Sequence, residues 1–241
     1  MPELSVHSEI CYGPMKSGKS LFLIETSQQL LKQHHSFLSF KPVQDTRDGH
    51  FIRSRQPQSQ HIQALAVASS QDLWRMIQQA LQTPRTFFDK LPSLASPSAT
   101  GSVLPLRQTF RCDSALRACL IDEVFLLDAE LLKVLQRVMQ AGVSVYLSGL
   151  DRDFRGEYFP LRQLGQDMLS MEDVIGFCQK KMAREARCES CGQPATLTQR
   201  LINGQPAPYD SPTVLIGDEE YQPRCSAHHQ VLGASHLSAA S

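Results

Sequence analysis

The stretch whose residue types most clearly point to chemistry is residues 13–20, which read Gly-Pro-Met-Lys-Ser-Gly-Lys-Ser. This order fits the pattern of Gly, four residues, Gly-Lys and then Ser or Thr, in which backbone N–H groups at a helix N-terminus surround phosphate oxygens. Lys19 would reach the β- and γ-phosphates of a nucleotide, and Ser20 would offer its hydroxyl to Mg²⁺. A chance match in a loop rich in glycine and serine is the alternative. The candidate ATP-binding residues are Gly13, Pro14, Met15, Lys16, Ser17, Gly18, Lys19 and Ser20.

An acidic pair, Asp122 and Glu123, follows the apolar run Ala-Cys-Leu-Ile at 118–121. Carboxylates at the end of a strand, downstream of a phosphate loop, are predicted to complete a nucleotide site. One of them holds Mg²⁺, and the other orients or deprotonates the nucleophile. Solvated acids at a strand end are the alternative. We group Val124 and Phe125, which come next, with the ATP-binding residues.

A polar loop at 45–55 contains three arginines and begins with Asp45-Thr46-Arg47. A guanidinium beside a nucleotide could bind phosphate oxygens through paired hydrogen bonds. A solvated surface loop is equally compatible with this composition. We therefore assign Asp45 and Arg47 to a candidate region for phosphate and Mg²⁺, together with Ser20 and Asp122.

Two pairs of metal-ligand residues lie near the C-terminus: Cys188 with Cys191, and Cys225 with His228. Pairs at this spacing, separated by a hairpin-like stretch, favour a tetrahedral zinc site. Four protein ligands close the coordination shell, so the zinc would be structural. His229 is a competing fourth ligand. The other cysteines have no partner at ligand spacing, and we expect them to be buried or incidental: Cys11, Cys112, Cys119 and Cys178.

Alternating strands and helices would position these groups. Apolar residues at Ile10 and Tyr12 predict a strand before the phosphate loop, and apolar residues at helical spacing predict a helix after it. Further strands are predicted at 36–40 and 143–150. The alternation predicts an α/β fold with a mostly parallel, doubly wound sheet and with the ligand at the carboxyl ends of the strands.

Local residue chemistry predicts where some elements begin and end. Ser70 would cap a helix at 70–81, and Asp128 would cap a helix at 128–141. Pro42 is expected to end the strand at 36–40, because proline cannot continue a central ladder. Prolines scattered among Ser, Thr and Gly predict a flexible insertion at about 83–113.

Length and charge limit the remaining choices. The chain has 241 residues, 24 of them basic and 24 acidic, which argues against a broad nucleic-acid or membrane surface. No basic and apolar leader opens the chain and no apolar run has the length of a membrane span, so we expect a cytoplasmic protein. We divide the chain into a nucleotide-binding domain at 1–175, a zinc-binding domain at 176–230 and a tail at 231–241.

The order of these motifs resembles that of the cellular, zinc-containing type of thymidine kinase. The run Gly-Leu-Asp-Arg-Asp-Phe-Arg-Gly at 149–156, combined with the two zinc pairs, is the most specific part of the resemblance. The phosphate loop alone is shared by many ATPases. Three places depart from the family pattern: the residues after Glu123, which read Val-Phe-Leu, the run Ile216-Gly217-Asp218, and the segment between Asp173 and Cys188, which is several residues longer than usual.

The resemblance implies a kinase with a phosphate-binding loop and a small zinc-anchored lasso that closes over the nucleoside. It implies ATP-dependent phosphorylation of the thymidine 5′-hydroxyl in nucleotide salvage, with Mg²⁺, structural zinc, deoxyuridine as a second substrate, feedback by dTTP and a homotetramer. Glu123 would be the catalytic base, and Arg47 would face the phosphates. The residues implied for nucleoside binding are Phe154, Phe159, Thr213, Val214, Leu215, Ile216, Gly217 and Tyr221.

Two other functions would also account for some of these motifs. An ATPase motor also combines a phosphate loop with an Asp-Glu strand end, but we find neither a second motor domain nor a basic groove. A non-catalytic zinc-ribbon module would have a degenerate phosphate loop, whereas Lys19, Ser20 and Glu123 are intact.

Overall fold

The computed structural model describes residues 5–54, 61–93, 102–163, 168–214 and 220–233. Within these ranges the helices are α1 (Lys19–Lys32), α2 (Ser70–Gln82), α3 (Pro84–Lys90), α4 (Leu106–Thr109), α5 (Leu131–Gln140) and α6 (Met171–Phe177), with a short 3₁₀ helix at Val124–Leu126. The strands are β1 (Ser8–Tyr12), β2 (Ser36–Pro42), β3 (Phe51–Ile52), β4 (His61–Gln63), β5 (Leu65–Val67), β6 (Val103–Leu104), β7 (Leu116–Ile121), β8 (Ser144–Gly149), β9 (Lys180–Ala183), β10 (Ala186–Arg187), β11 (Pro194–Ala195), β12 (Leu197–Ile202), β13 (Gln205–Pro206) and β14 (Glu220–Arg224). None of the described helices is both long and apolar enough to cross a membrane.

Six parallel strands form the central sheet in the order β5-β2-β7-β8-β1-β9. The chain leaves β1 through α1 and returns to the sheet at β2, and the later strands β7 and β8 lie between β1 and β2. Because the strands are parallel, the carboxyl ends of β1, β7 and β8 meet at one edge of the sheet. The predicted α/β fold with a mostly parallel sheet is confirmed.

Different elements cover the two faces of this sheet, and alternate residues of the central strands separate them. In β7, Ala118 and Leu120 pack in one cluster with Phe22 and Leu23 of α1, and the small sheet β3-β4-β6 joins that cluster. Cys119 packs in the other cluster, with residues of α2 and α5. Strands buried on both faces appear in the sequence as short, nearly continuous apolar runs.

The helix caps differ from those predicted. Ser69 is the N-cap of α2, and its side chain accepts a hydrogen bond from the N–H of Asp72 at 3.1 Å. Glu130 is the N-cap of α5, so the predicted role of Asp128 is wrong. The buried Asp128 carboxylate instead accepts from the N–H of Ser70 at 3.0 Å and so ties α2 to the chain entering α5. Its Oδ1 atom also accepts from the N–H of Glu130 at 3.2 Å, so Asp128 binds both a long-range partner and the turn before α5.

β2 continues through Pro42, two residues beyond the predicted end of this strand. Pro42 occupies the last position of the strand, where its missing N–H interrupts no ladder bond further along. The next N–H, from Val43, donates to the carbonyl oxygen of Val67 at 2.9 Å.

The described parts of 83–113 are more regular than their composition predicts. Pro84 is at the start of α3, where its fixed φ favours a helix, and Pro105 is the N-cap of α4. Phe87 and Phe110 are buried against each other, with ring centroids 5.4 Å apart. Prolines that resemble breakers in the sequence therefore begin helices here. Residues 94–101, in the middle of the predicted insertion, lie outside the described residues.

The described residues between 186 and 233 form a C-terminal lobe of small antiparallel sheets, one of β10 and β11 and one in the order β13-β12-β14. β9, just before the lobe, is the edge strand of the central sheet beside β1. This pairing brings the chain that enters the lobe next to the phosphate loop.

Candidate active site and metal centre

The phosphate loop connects β1 to α1, and its shape depends on two glycines. Gly18, the N-cap of α1, has φ 85°, and Gly13 has φ 143°. Side chains disfavour both conformations. A Cβ atom at Gly13 would also lie 2.2 Å from the carbonyl oxygen of Arg184. Backbone geometry therefore sets the predicted phosphate site, with the N–H groups of the first turn of α1 directed towards it.

Lys19 and Ser20 begin α1, as the motif predicts. Lys19 is buried, and its Nζ atom donates a hydrogen bond to the carbonyl oxygen of Pro14 at 2.6 Å. Burial lowers the pKa of Lys19, and the carboxylates of Glu123 and Asp122 act against that shift. The Ser20 hydroxyl donates to Oδ2 of Asp122 at 3.2 Å. The phosphate loop and the end of β7 thus form one site.

Asp122 lies at the centre of this site with its carboxylate buried. Oδ1 accepts hydrogen bonds from the Ser148 hydroxyl and, at 3.1 Å, from the N–H of Glu123. Burial, followed by the neighbouring charge of Glu123, raises the pKa of Asp122 to about 7. A buried carboxylate that is costly to ionise is stabilised by a cation, and Mg²⁺ prefers oxygen ligands. Asp122 and Ser20 therefore fit the predicted Mg²⁺ site.

Glu123 follows β7 in a left-handed conformation with φ 50°, which is uncommon for a residue other than glycine. Its Oε1 atom accepts a hydrogen bond from Nη2 of Arg47 at 2.5 Å. Its Oε2 atom is buried and has no hydrogen-bond partner among the described residues. An ion pair thus fixes one oxygen of the carboxylate and leaves the other to accept a hydrogen bond from a ligand.

Asp45 and Arg47 extend this ion pair into the loop after β2. Nε of Arg47 donates to Oδ1 of Asp45 at 2.9 Å, and Nζ of Lys41 lies 3.0 Å from Oδ2. Burial raises the pKa of Asp45, but Arg47 and Lys41 outweigh it and leave the pKa below its usual value. The charge of Glu123, partly offset by burial, raises the pKa of Arg47. Asp45 is therefore neutralised by two cations, and Arg47 links it to Glu123.

A cavity of about 340 Å³ opens beside the phosphate loop and Arg47. This volume is in the range of small-ligand sites. Phe125, which is predicted from the sequence to be an ATP-binding residue, packs against Phe159 in the cavity wall, with ring centroids 4.4 Å apart. Described residues that the resemblance assigns to the nucleoside all line it: Phe154, Phe159, Thr213, Val214 and Tyr221. Leu215, Ile216 and Gly217 lie outside the described residues.

The predicted zinc ligands come together in the C-terminal lobe. The ligand atoms of Cys188, Cys191, Cys225 and His228 all lie within 4.8 Å of one another. Sulfur atoms about 2.3 Å from a tetrahedral zinc would be roughly 3.8 Å apart, and those of Cys191 and Cys225 are 3.7 Å apart. Burial raises the pKa of Cys188, but backbone N–H donors of the loop outweigh it and lower the pKa to about 6. The cluster therefore fits a zinc ion, with thiolate ligands.

His229 has a different role from His228. Nε2 of His229 forms a hydrogen bond with the carbonyl oxygen of Phe154 at 2.9 Å, so it acts as the donor there. Nδ1 of His228 lies 3.2 Å from Sγ of Cys225, within the cluster. The metal cluster and the nucleoside wall are thus joined by two consecutive histidines.

The C-terminal lobe also contacts the phosphate loop directly. The hydroxyl of Thr198 accepts a hydrogen bond from the N–H of Met15 at 3.1 Å. Nζ of Lys16 lies 2.5 Å from Oε1 of Glu189, the residue after Cys188. The phosphate loop and the aromatic wall at Phe154 therefore both contact the lobe that holds the metal cluster.

Sequence reasoning missed the residues that support the site from distant elements. Ser148 supports Asp122, and its place near the end of the neighbouring parallel strand was a usable signal. Thr198 in β12 had no such signal, because nothing in the local sequence places β12 against the phosphate loop. Arg155 and Arg200, which bind the segment before Thr213, were also missed.

Comparison with known proteins gives two results. The family model described as thymidine kinase matches residues 6–83 and 98–229 of the chain. A curated protein of Deinococcus deserti, named thymidine kinase, is 32% identical over 226 residues, which is 93% of this chain and 95% of that relative. The residues matched by the family model include the phosphate loop, the end of β7 and the metal cluster.

Proposed function

This chain belongs to the thymidine kinase family, and we propose that it transfers the γ-phosphoryl group of ATP to the 5′-hydroxyl of thymidine. The observation that carries the proposal is the carboxylate of Glu123, whose Oε2 atom is buried without a partner among the described residues, next to the phosphate loop. An alcohol is a weak nucleophile, and a carboxylate in this position accepts its proton.

The phosphate side of the reaction is assigned to the loop and to β7. Backbone N–H groups of 13–20 would hold the phosphates, and Lys19 would exchange its hydrogen bond with Pro14 for one to the transferred phosphoryl group. Ser20 and Asp122 would hold Mg²⁺, which neutralises phosphate charge when bound. Arg47 would add a positive charge at the cavity edge.

The transfer step follows from this placement. The 5′-oxygen of thymidine forms a bond to the γ-phosphorus, and its proton passes to Oε2 of Glu123. The bond between the γ-phosphorus and the bridging oxygen breaks, and the electron pair leaves on ADP. Arg47 holds Oε1 of Glu123, so the free oxygen keeps its orientation during the transfer.

The nucleoside would bind in the cavity. Phe125, Phe154 and Phe159 offer apolar walls suited to a pyrimidine ring, with Thr213 and Tyr221 at the same surface. We expect deoxyuridine to be accepted as well, since it differs from thymidine by one methyl group. Feedback by dTTP, a homotetramer, a cytoplasmic location and the structural role of zinc stay predictions.

A panel assay tests the proposal. Purified protein with ATP and Mg²⁺ is given thymidine, deoxyuridine, deoxycytidine and deoxyadenosine, and ADP and nucleoside monophosphate are both measured. We expect thymidine to give dTMP and ADP in equal amounts. ADP formed without any nucleoside would support the ATPase alternative, and phosphorylation of a purine nucleoside in preference to thymidine would reject the proposed substrate.

A further inference from the structure

Two arginines near the cavity, Arg155, which is largely buried, and Arg200, which is fully buried, take no part in the transfer described above. The Arg155 side chain is 12% exposed and follows Phe154 in the loop after β8. Arg200, in β12, is 0% exposed. A buried guanidinium needs hydrogen-bond acceptors, because the loss of hydration is costly. The acceptors that these two arginines use show what they hold in place.

Arg155 binds one short segment of the chain, residues 209–213, at three points. Nε donates to the carbonyl oxygen of Tyr209 at 2.7 Å, and Nη2 donates to that of Ser211 at 2.5 Å. Nη1 donates to the hydroxyl of Thr213 at 3.1 Å. Asp153 forms an ion pair with Nη1 at 2.6 Å and so orients the guanidinium. Thr213 is the point at which this segment joins the cavity wall.

Arg200, in β12 of the C-terminal lobe, binds the same segment from a second side. Its Nη1 atom donates to the carbonyl oxygen of Pro212 at 2.6 Å, while its Nε and Nη2 atoms are buried without a hydrogen-bond partner among the described residues. Its guanidinium carbon lies 3.7 Å from the ring centroid of Phe154, and that of Arg155 lies 4.4 Å from the same ring. The carbonyl oxygen of Phe154 is bound by His229. One aromatic wall of the cavity is thus attached to both arginines and to the residue after a metal-cluster histidine.

We propose that Arg155 and Arg200 are positioning residues that set the nucleoside pocket, by fixing the Phe154 ring and the 209–213 segment relative to each other. The proposal rests on the proposed function only for the identity of the ligand. Neither arginine is among the residues that line the cavity, so their effect reaches the reaction through Phe154 and Thr213. The geometry assigns them to nucleoside binding and not to phosphoryl transfer.

The planar shape of the arginine side chain is central to the proposal. The guanidinium of Arg155 presents donors in fixed directions to two carbonyl oxygens, a hydroxyl and a carboxylate at once. A lysine ammonium keeps the charge beside Asp153 and Phe154, but it cannot span these acceptors. Arg155→Lys therefore keeps the positive charge of this residue and removes its planar array of hydrogen-bond donors.

The experiment compares Arg155→Gln, Arg155→Lys and Arg200→Met with the wild type. Arg162→Gln is the matched control, because this arginine also donates to a carbonyl oxygen and a carboxylate, those of Ala68 and Asp128, and does not line the cavity. Two readouts are used. Amide hydrogen exchange reports on 209–213 without any substrate, and steady-state kinetics give KM and kcat for thymidine and for ATP.

We expect both Arg155 variants to exchange faster at 209–213 than the wild type and the control. Their KM for thymidine should rise about tenfold or more, as expected for the loss of charged hydrogen bonds. Their kcat and their KM for ATP should stay within about threefold of the wild type, which corresponds to less than one hydrogen bond. Arg200→Met should shift the same quantities in the same direction.

Three results would overturn the proposal: unchanged exchange at 209–213, a loss of kcat with an unchanged KM for thymidine, or full recovery in Arg155→Lys. The last result would show that charge alone matters. A failure of the proposed function gives a different result, because the wild type would then not phosphorylate thymidine. The exchange measurement would still decide whether the arginines hold the segment.

Discussion

The two sides of the candidate site are held together in different ways. The phosphate side, which is the 13–20 loop with Asp122 and Glu123, is built from two short contiguous stretches whose shape depends on backbone conformation, although Ser148 and Thr198 support it from other strands. The nucleoside side is built from the loop after β8, the 209–213 segment and β12, which side chains join across distant parts of the chain. A short motif can specify the first arrangement but not the second.

The largest effect should come from breaking the metal cluster on the nucleoside side. Cys188→Ser removes one ligand, and structural zinc contributes on the order of 10 kcal/mol in small peptides. We expect the zinc content to fall from one per chain to near zero, and thymidine binding to be lost with it, because His229 next to the cluster holds Phe154. Metal analysis and a thymidine-binding titration measure these changes.

Cys112→Ser is the matched control for this variant, since Cys112 is a partly exposed cysteine outside the cluster. It should keep its zinc and its thymidine affinity. Zinc-free Cys188→Ser protein that still binds thymidine normally would show that the nucleoside side does not depend on the cluster.

Glu123→Gln tests the phosphate side with the next largest effect. The amide keeps the size of the side chain but cannot accept the proton, and general-base catalysis contributes about 10²–10⁴-fold. We expect kcat to fall by that factor, while ATP affinity changes little because Lys19, Ser20 and the loop amides remain. Steady-state kinetics with a separate ATP-binding titration distinguish the two quantities. A near wild-type kcat would exclude Glu123 as the base, and Asp45 or Asp151 would be examined next.

Gly13→Ala tests whether ATP binding depends on the backbone conformation of the phosphate loop at Gly13. The new Cβ would meet the carbonyl oxygen of Arg184, and Gly13 has φ 143°. Backbone strain of this kind costs about 1–3 kcal/mol, or roughly a tenfold to hundredfold loss if it falls on ATP affinity. Gly142→Ala is the control, because Gly142 has φ 82° and an added Cβ meets nothing within 4 Å. Equal ATP affinity in the two variants would contradict the role of Gly13.

The sequence predicted the loop and the acidic pair of the phosphate side because each lies on one short stretch, but it did not predict the supporting contacts of Ser148 and Thr198. A strand, a glycine loop and a helix N-terminus are contiguous, and Asp122 and Glu123 follow one apolar run. The parallel sheet followed from the alternation of elements. The caps of α2 and α5 were harder, since Asp128 lies two residues before the N-cap of α5 and its carboxylate binds the N–H groups of both Ser70 and Glu130. Tertiary contacts overrode local preference there.

Phe154 and Phe159 follow a predicted strand end, where charged and aromatic residues favour either a substrate wall or ordinary packing, but the rest of the nucleoside side could be predicted only through the family resemblance. Phe154 and Thr213 have no local signal that places them on one cavity, and Arg200 is an ordinary strand residue by sequence. The choice between His228 and His229 was open because both follow Cys225 at ligand spacing. Only the fold shows that His229 is directed towards Phe154.

Glu189→Gln gives the smallest expected effect, and it tests where the two sides meet. The ion pair between Lys16 and Glu189 joins the phosphate loop to the C-terminal lobe, but the two side chains are 35% and 33% exposed. Exposed pairs of this kind contribute about 0.2–1 kcal/mol, so the KM for ATP should rise less than about fivefold. The difference from wild type should shrink at high salt, because salt screens exposed charges.

Asp113→Asn is the control for this variant, because its exposed ion pair with Arg111 lies away from the site. Its KM for ATP should equal that of the wild type at every salt concentration. A much larger rise in Glu189→Gln, with zinc content intact, would mean that the phosphate loop takes its shape from the C-terminal lobe. The contact of Thr198 with the N–H of Met15 would then be the next one to remove, since it also joins that lobe to the loop.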